Sequence, residues 1–259
     1  VIRSRAATRR LILNADDLGR SEGINLGIFA AHERGVVTSA TLMVGFPAAA
    51  AAAAEAGRYP RLGLGLHVTL TGATPTLPAS AVPSLVDATG RLARKPEALG
   101  AIEPGEVLAE VRNQLAEFRR MTGRLPTHLD SHHHAHRHPV VLDALVAVAR
   151  EHRLPVRRAS PDVARRLAAS GIATSDRFDE RFFAEGATLA GLLAILRGLG
   201  PGTTELMCHP GHADAELRRE SGYADDRERE LAVLTHPEVL GAVRELGIEL
   251  VHFGAPCAS

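Results

Sequence analysis

Tryptophan is absent from this chain, and aromatic residues together make up only 3% of it. That scarcity argues against the aromatic platforms on which proteins stack long polysaccharides or single-stranded nucleic acid. Cysteine is nearly absent too. Cys208 and Cys257 are too few for a disulfide scaffold or a cysteine-rich zinc module, and they fit a reducing, cytoplasmic setting. Cys208 reads as core filler. Net charge is zero, with 30 basic against 30 acidic residues, so nothing points to nucleic acid as a partner. Long hydrophobic runs are missing as well: the alanine-rich stretch Ala48–Ala54 is bounded by Pro47 and Glu55, far short of the roughly 20 apolar residues of a membrane span. Arg3, Arg5, Arg9 and Arg10 make the start basic, but Asn14, Asp16 and Asp17 break the next apolar run. This start reads as a frayed tail and not as a signal peptide. No Gly-x-Gly-x-x-Gly follows the first apolar run, which removes the dinucleotide-binding reading. A compact polar small molecule is the ligand this composition fits best.

What is present is an alternation of short β-like runs with longer helical ones, the pattern of parallel βα units. Strands are predicted over Leu11–Ala15, Ser39–Val44, Leu62–Val68, Thr127–Ser131, Pro155–Arg158, Thr204–Cys208 and Ile248–Phe253. Helices are predicted over Glu22–Glu33, Pro47–Arg58, Glu106–Met121, Pro139–Arg150 and Asp226–Leu246. Ser21 offers an N-cap and Gly35 a stop to the first of these. About seven parallel strands with helical connections suit an α/β fold, an irregular (β/α) barrel of the TIM-barrel type spanning 1–259 as a single domain. Thr71–Gly105, with its five prolines, reads as a long, partly ordered loop over the active-site end. Ser160–Ala187 reads as an irregular stretch of short helices.

Six of the thirteen histidines fall between His128 and His138, directly after a predicted strand. Imidazole is the commonest protein metal ligand and titrates near neutral pH, so such density suggests a site. Other predicted strands end in Asp16 and Asp17, in His67 and in His209. Barrel enzymes do their chemistry at these C-terminal strand ends, so Asp16, Asp17, His67, Asp130, His132 and His209 are expected at one mouth. Two imidazoles and one carboxylate hold a divalent ion with open positions, and such an ion acidifies water and polarises a carbonyl. Alternation along an extended segment puts Asp130, His132, His134 and His136 on one face and His133 on the other. Asp130 is expected to orient a ligand imidazole. His134 is expected to touch substrate, and Arg157 to hold a substrate oxygen. His138 reads as the residue before a helix, and the charge run Asp225–Glu230 as a solvated helix face.

Four segments carry a family resemblance: Asn14-Ala-Asp-Asp-Leu-Gly19, Gly65-Leu-His-Val-Thr-Leu70, Thr127-His-Leu-Asp-Ser-His-His-His-Ala-His136 and Glu205-Leu-Met-Cys-His-Pro-Gly211. In this order they resemble the motif set of the YdjC/ChbG-type carbohydrate deacetylases. Thr38–Gly45 and Val82–Arg91 are similar to the hopanoid-biosynthesis branch of that family. The resemblance implies an irregular (β/α) barrel that removes acetyl groups from N-acetylated sugars. It implies Asp17, His67 and His132 as metal ligands and Asp16 as general base. His209 is the candidate acid for the leaving amine, with His212 as the alternative. Zinc is the expected ion, with magnesium as the other candidate. Chito-oligosaccharide and a glycosylated lipid head group are the rival substrates, and a homodimer is the expected assembly.

Other readings stand beside this one. His128-Leu-Asp130 has the spacing of an iron oxygenase triad, although those sites belong to double-sheet β folds. A metal-dependent amidohydrolase or phosphoesterase acting on another small molecule is a further possibility. A non-enzymatic metal module would need no spare carboxylate, whereas Asp16 stands beside Asp17.

Overall fold

The computed structural model describes residues 8–220 and 222–254. Cys257, Arg3 and Arg5 lie outside those residues. In chain order the elements are β1 (Arg9–Leu18), α1 (Glu22–Arg34), β2 (Ser39–Leu42), α2 (Ala49–Ala56), β3 (Gly63–Val68), α3 (Pro104–Thr122), β4 (Leu129–Ser131), α4 (Pro139–His152), α5 (Pro161–Ala169) and β5 (Arg177–Asp179). They continue as α6 (Leu189–Arg197), β6 (Gly202–Cys208), α7 (Ala215–Glu220), α8 (Ala224–Leu234), α9 (Pro237–Glu245) and β7 (Ile248–Leu250). The strands form one parallel sheet in the order β4-β3-β2-β1-β6-β5, with β7 paired to β1. This is the expected α/β architecture, a (β/α) barrel left open between β4 and β5.

β1 is the spine of the sheet. It pairs with β6 along Arg9–Ala15, with β7 along Arg9–Leu11 and with β2 from Asn14 to Leu18. From Leu11 onward every residue of β1 is buried, as a parallel strand covered on both faces requires. Arg9 and Arg10 therefore open a strand and do not fray, because their backbone is laddered to Gly202 and Thr203. A single connected core, including Leu11, Leu13, Ile28, Leu64, Phe118 and Leu145, runs from the sheet into the surrounding helices. Ser21 caps α1 by accepting from Ile24 N, as predicted.

Three expectations change. The strand expected over Pro155–Arg158 is a single parallel pairing of Val156 with Leu129, because Pro155 has no N–H to extend the ladder. β5 lies inside the stretch expected to hold only short helices. It is a short edge strand, two of its residues are charged, and none is fully buried, so it lacks the apolar run that marks a strand. The helix expected over Asp226–Leu246 is two helices, since Pro237 holds His236 in an extended conformation (ψ 135°) and starts α9 afresh.

The 71–105 connection is tied down. Glu110 on α3 is fully buried and accepts from Thr76 N and Oγ1 and from Leu77 N at 2.8, 2.8 and 3.0 Å. Short 3-10 turns at Ala79–Ala81, Pro83–Leu85 and Pro96–Ala98 fold the rest back over the open end of the barrel. Lys95, Pro96 and Glu97 reach the cavity described next.

Candidate active site

The C-terminal strand ends converge on a cavity of about 420 Å³ whose wall includes Asp16, Asp17, His67, His132, His134 and His209. Consecutive residues of a regular strand point to opposite faces, yet Asp16 and Asp17 both reach this cavity. A one-residue bulge explains it. Ala15 and Leu18 of β1 pair with Ala40 and Leu42 of β2, so the extra residue falls at the two aspartates. Asp17 takes the strained left-handed conformation (φ 71°) that the bulge needs.

Asp17, His67 and His132 come together at its floor. Asp17 Oδ1 lies 3.0 Å from His132 Nδ1 and 3.4 Å from His67 Nε2. It is buried, and neither contact has the geometry of a hydrogen bond. The other oxygen, Oδ2, accepts from Arg227. On its far side His67 Nδ1 donates to Asp130 Oδ1 at 2.7 Å, which leaves Nε2 as the lone-pair nitrogen of the neutral ring. An orphaned carboxylate oxygen facing two imidazole nitrogens, with ligand atoms all within 4.8 Å of one another, fits a divalent ion of the zinc type. The electrostatics agree. Burial opposes a charge on His67, but Asp130, Asp17 and Asp16 outweigh it and push the imidazole up to about 10, so the spot favours positive charge. Burial likewise opposes the Asp17 carboxylate, and Arg227 and His132 hold it well below the usual range.

Asp16 is built differently. Arg157 Nη1 and Nη2 each donate to one of its oxygens at 2.7 Å, and Asn14 Nδ2 adds 2.8 Å to Oδ1. Burial would raise its pKa, but the guanidinium overcomes that and keeps Asp16 ionised. Arg157 was expected to hold a substrate oxygen. It has no accessible surface, and its donors are spent on Asp16, on Asp130 at 3.0 Å and on Glu205 at 2.6 Å. It is a buried cation that positions three carboxylates. Glu205 is the least stabilised of them: burial, partly offset by Arg157, raises it to about 7.

The histidine run does not continue as an extended strand. His132–Arg137 is a 3-10 turn in which His133 and His134 are left-handed (φ 54° and 51°), so alternation stops at Ser131. His132 points to Asp17, while His133 is exposed and lies against the His132 ring, centroids 3.8 Å apart and tilted by 32°. His134 lines the cavity, with Nε2 3.3 Å from Glu180, and is thus held by a carboxylate at the cavity wall. His136 is buried structure, bonded to Ser131 and to the Arg157 carbonyl. His128 is buried against Phe253 and bonded to Asn14 Oδ1 at 3.0 Å, and it faces no other ligand, which removes the oxygenase triad. His209 is in the cavity wall with 13% of its side chain exposed, its Nδ1 3.8 Å from Glu230 Oε1 and without a hydrogen bond. His212 is 47% exposed beside Glu228 and is no part of that wall.

α8 supplies what the sequence reading missed. Arg227 and Glu230, expected on a solvated face, are 2% and 0% exposed. Arg227 bonds Asp17, while Glu230 accepts from His209 N and, at 2.6 Å, from Tyr223 Oη. The signal was the helical period: Ala224, Arg227, Leu231 and Leu234 share one buried face.

The YdjC-like protein family matches residues 10–245. The chain belongs to that family. A carbohydrate deacetylase of Geobacillus stearothermophilus is 41% identical over 95% of this chain and 97% of its own. A chitooligosaccharide deacetylase of Serratia marcescens is 39% identical over 94% and 97%. A crystal structure from Enterococcus faecalis V583, provisionally described as a cellobiose-phosphate cleavage protein, superposes with a TM-score of 0.90 at 34% identity, covering 95% of this chain and 98% of that one. The YdjC-like match thus spans the whole site, from Asp16 on β1 to Glu230 on α8.

Proposed function

We propose that this YdjC-like protein is a metal-dependent hydrolase that removes an acetyl group from an N-acetylated sugar. The observation that carries the reading is the orphaned Asp17 oxygen facing His67 and His132, with a second carboxylate, Asp16, beside it in the same cavity. The named relatives, a carbohydrate deacetylase and a chitooligosaccharide deacetylase, supply the substrate class. No helix of the described residues is long and apolar enough to cross a membrane.

Asp17, His67 and His132 would hold the ion, and two imidazoles with one carboxylate favour zinc over magnesium, which prefers oxygen ligands. Once bound, such an ion supplies Lewis acidity to the amide carbonyl and acidifies water. Asp130 fixes the His67 tautomer. Asp16, ionised across the neutral range, accepts the proton of the attacking water. Because Arg157 makes Asp16 a weak base, the role would require an ion held by Asp17, His67 and His132 to acidify that water. His209 donates a proton to the amine as the C–N bond breaks, since an unprotonated amine anion is a prohibitively poor leaving group. Glu230, bonded to the His209 backbone, holds that imidazole at the cavity wall. His212 stands too far out for the role.

The test is acetate release by zinc-loaded protein from di-N-acetylchitobiose and from an N-acetylglucosaminyl lipid head group, with Asp16→Asn and His209→Gln beside it. Release from either substrate, lost about a hundredfold or more in both variants, is expected. Normal release from both variants refutes the roles, and none from wild type on any amino sugar refutes the activity.

A further inference from the structure

One feature of the cavity wall serves neither the ion site nor the proton transfers: an apolar ring turned to solvent. Phe183 is 43% exposed, and it is the only exposed phenylalanine or tyrosine among the described residues. Its ring stacks on Tyr223 at 4.5 Å and 11° and meets His209 edge-on at 5.3 Å, and all of these side chains line the cavity.

The ring is held from beneath. Tyr223 Oη donates to buried Glu230 at 2.6 Å and accepts from Ala184 N at 2.8 Å. Arg229 grips the carbonyls of Ala184 and Ala187 at 2.9 and 3.1 Å. Ala184 itself is left-handed (φ 50°), a conformation that such anchoring must maintain. Tyr223 covers one face of Phe183, so the exposure lies on the other face and the edge. A rigid, exposed aromatic beside the group that protonates the leaving amine is a surface for whatever carries that amine.

We propose that Phe183 is the platform on which the sugar ring bearing the acetamido group stacks, and so a specificity-determining residue. This rests on the reading of the substrate as an N-acetyl sugar. The nitrogen must come within hydrogen-bond reach of His209, which brings the attached pyranose against the side chain packed on His209. A pyranose has an apolar C–H face, and the negative face of an aromatic ring attracts such polarised hydrogens. Tyr223 covers its other face, so Phe183 can stack on one sugar ring.

The chain has no tryptophan, so Phe183→Trp places a single reporter at the platform. Its emission is expected to shift on titration with di-N-acetylchitobiose and to saturate near the KM for acetate release. Phe183→Leu is expected to raise KM about tenfold while kcat falls less than about threefold, the signature of lost uniform binding, and Phe183→Tyr is expected to restore KM. A folding defect would instead lower kcat and thermal stability together and would not be rescued by tyrosine. An unchanged KM in the leucine variant with silent tryptophan emission overturns the platform. Absence of acetate release from wild type overturns the reading of function instead, and the tryptophan titration then still decides whether this ring contacts sugar.

Discussion

Replacing Arg157 by methionine removes the one side chain that bonds Asp16, Asp130 and Glu205 together, all at most 2% exposed. Breaking a buried ion pair by deleting one partner costs about 3–5 kcal/mol, because the stranded charge stays buried. At roughly 2–4 °C per kcal/mol for a chain of this size class, the melting temperature should fall by about 6–20 °C at pH 7. The pH dependence carries the sharper test. In wild type Asp16 is held below its ordinary value, and that stability is present at neutral pH and lost only as pH falls through the depressed folded value. Without the guanidinium, burial is opposed only by neighbours such as His67, and the folded pKa of Asp16 and Glu205 rises. Their stabilising contribution is then present below their unfolded values and lost as pH rises. The gap between variant and wild type should therefore widen from pH 4.5 to pH 8 in urea denaturation. Arg157→Lys keeps a charge but cannot span three carboxylates, so it should fall between the two. A methionine variant within about 1 kcal/mol of wild type at pH 7, or a gap that does not vary with pH, refutes this view of the site.

Glu205→Gln removes a group raised to about 7 by burial, whose favourable contribution is present below its unfolded value and lost as pH rises through 7. The glutamine variant should gain stability relative to wild type between pH 5 and pH 8, by up to about 3 kcal/mol, and parallel stability curves would argue against it. Zinc at about a hundred times its Kd should stabilise the fold by about 2.7 kcal/mol, seen as a thermal shift that a chelator reverses and Asp17→Asn abolishes. Asp130→Asn, which loosens the His67 ring, should weaken zinc binding about 10–100-fold by calorimetry; unchanged affinity means that Asp130 does not orient that ligand. Glu230→Gln should lower kcat more than it raises KM if it positions His209, and an effect confined to KM would assign it elsewhere.

The sheet and most helices are legible in the sequence because buried parallel strands read as short apolar runs, and caps such as Ser21 mark where helices begin. The convergence of Asp16, Asp17, His67, His132 and His209 follows from one topological rule, that parallel strands deliver their C-terminal ends to one mouth. What stays hidden is long-range and ionic. Arg157 at a strand end looks like a substrate contact until the three carboxylates around it are located. Arg227 and Glu230 sit in a run of alternating charges that composition reads as solvated, although their helical period places them on the buried face. β5 is masked by its charged residues, and the left-handed turn at His133 and His134 defeats any argument from alternation. Phe183 carries no signal beyond being one of seven phenylalanines.

On the proposed function, Asp17, His67 and His132 share one divalent ion. Anomalous diffraction from crystals grown with zinc, collected on both sides of its absorption edge, tests this directly. A single strong peak bonded to Asp17 Oδ1, His67 Nε2 and His132 Nδ1, lost in the Asp17→Asn variant, is expected. A cavity without a peak, or zinc bound only by other histidines such as His133 or His134, would contradict it.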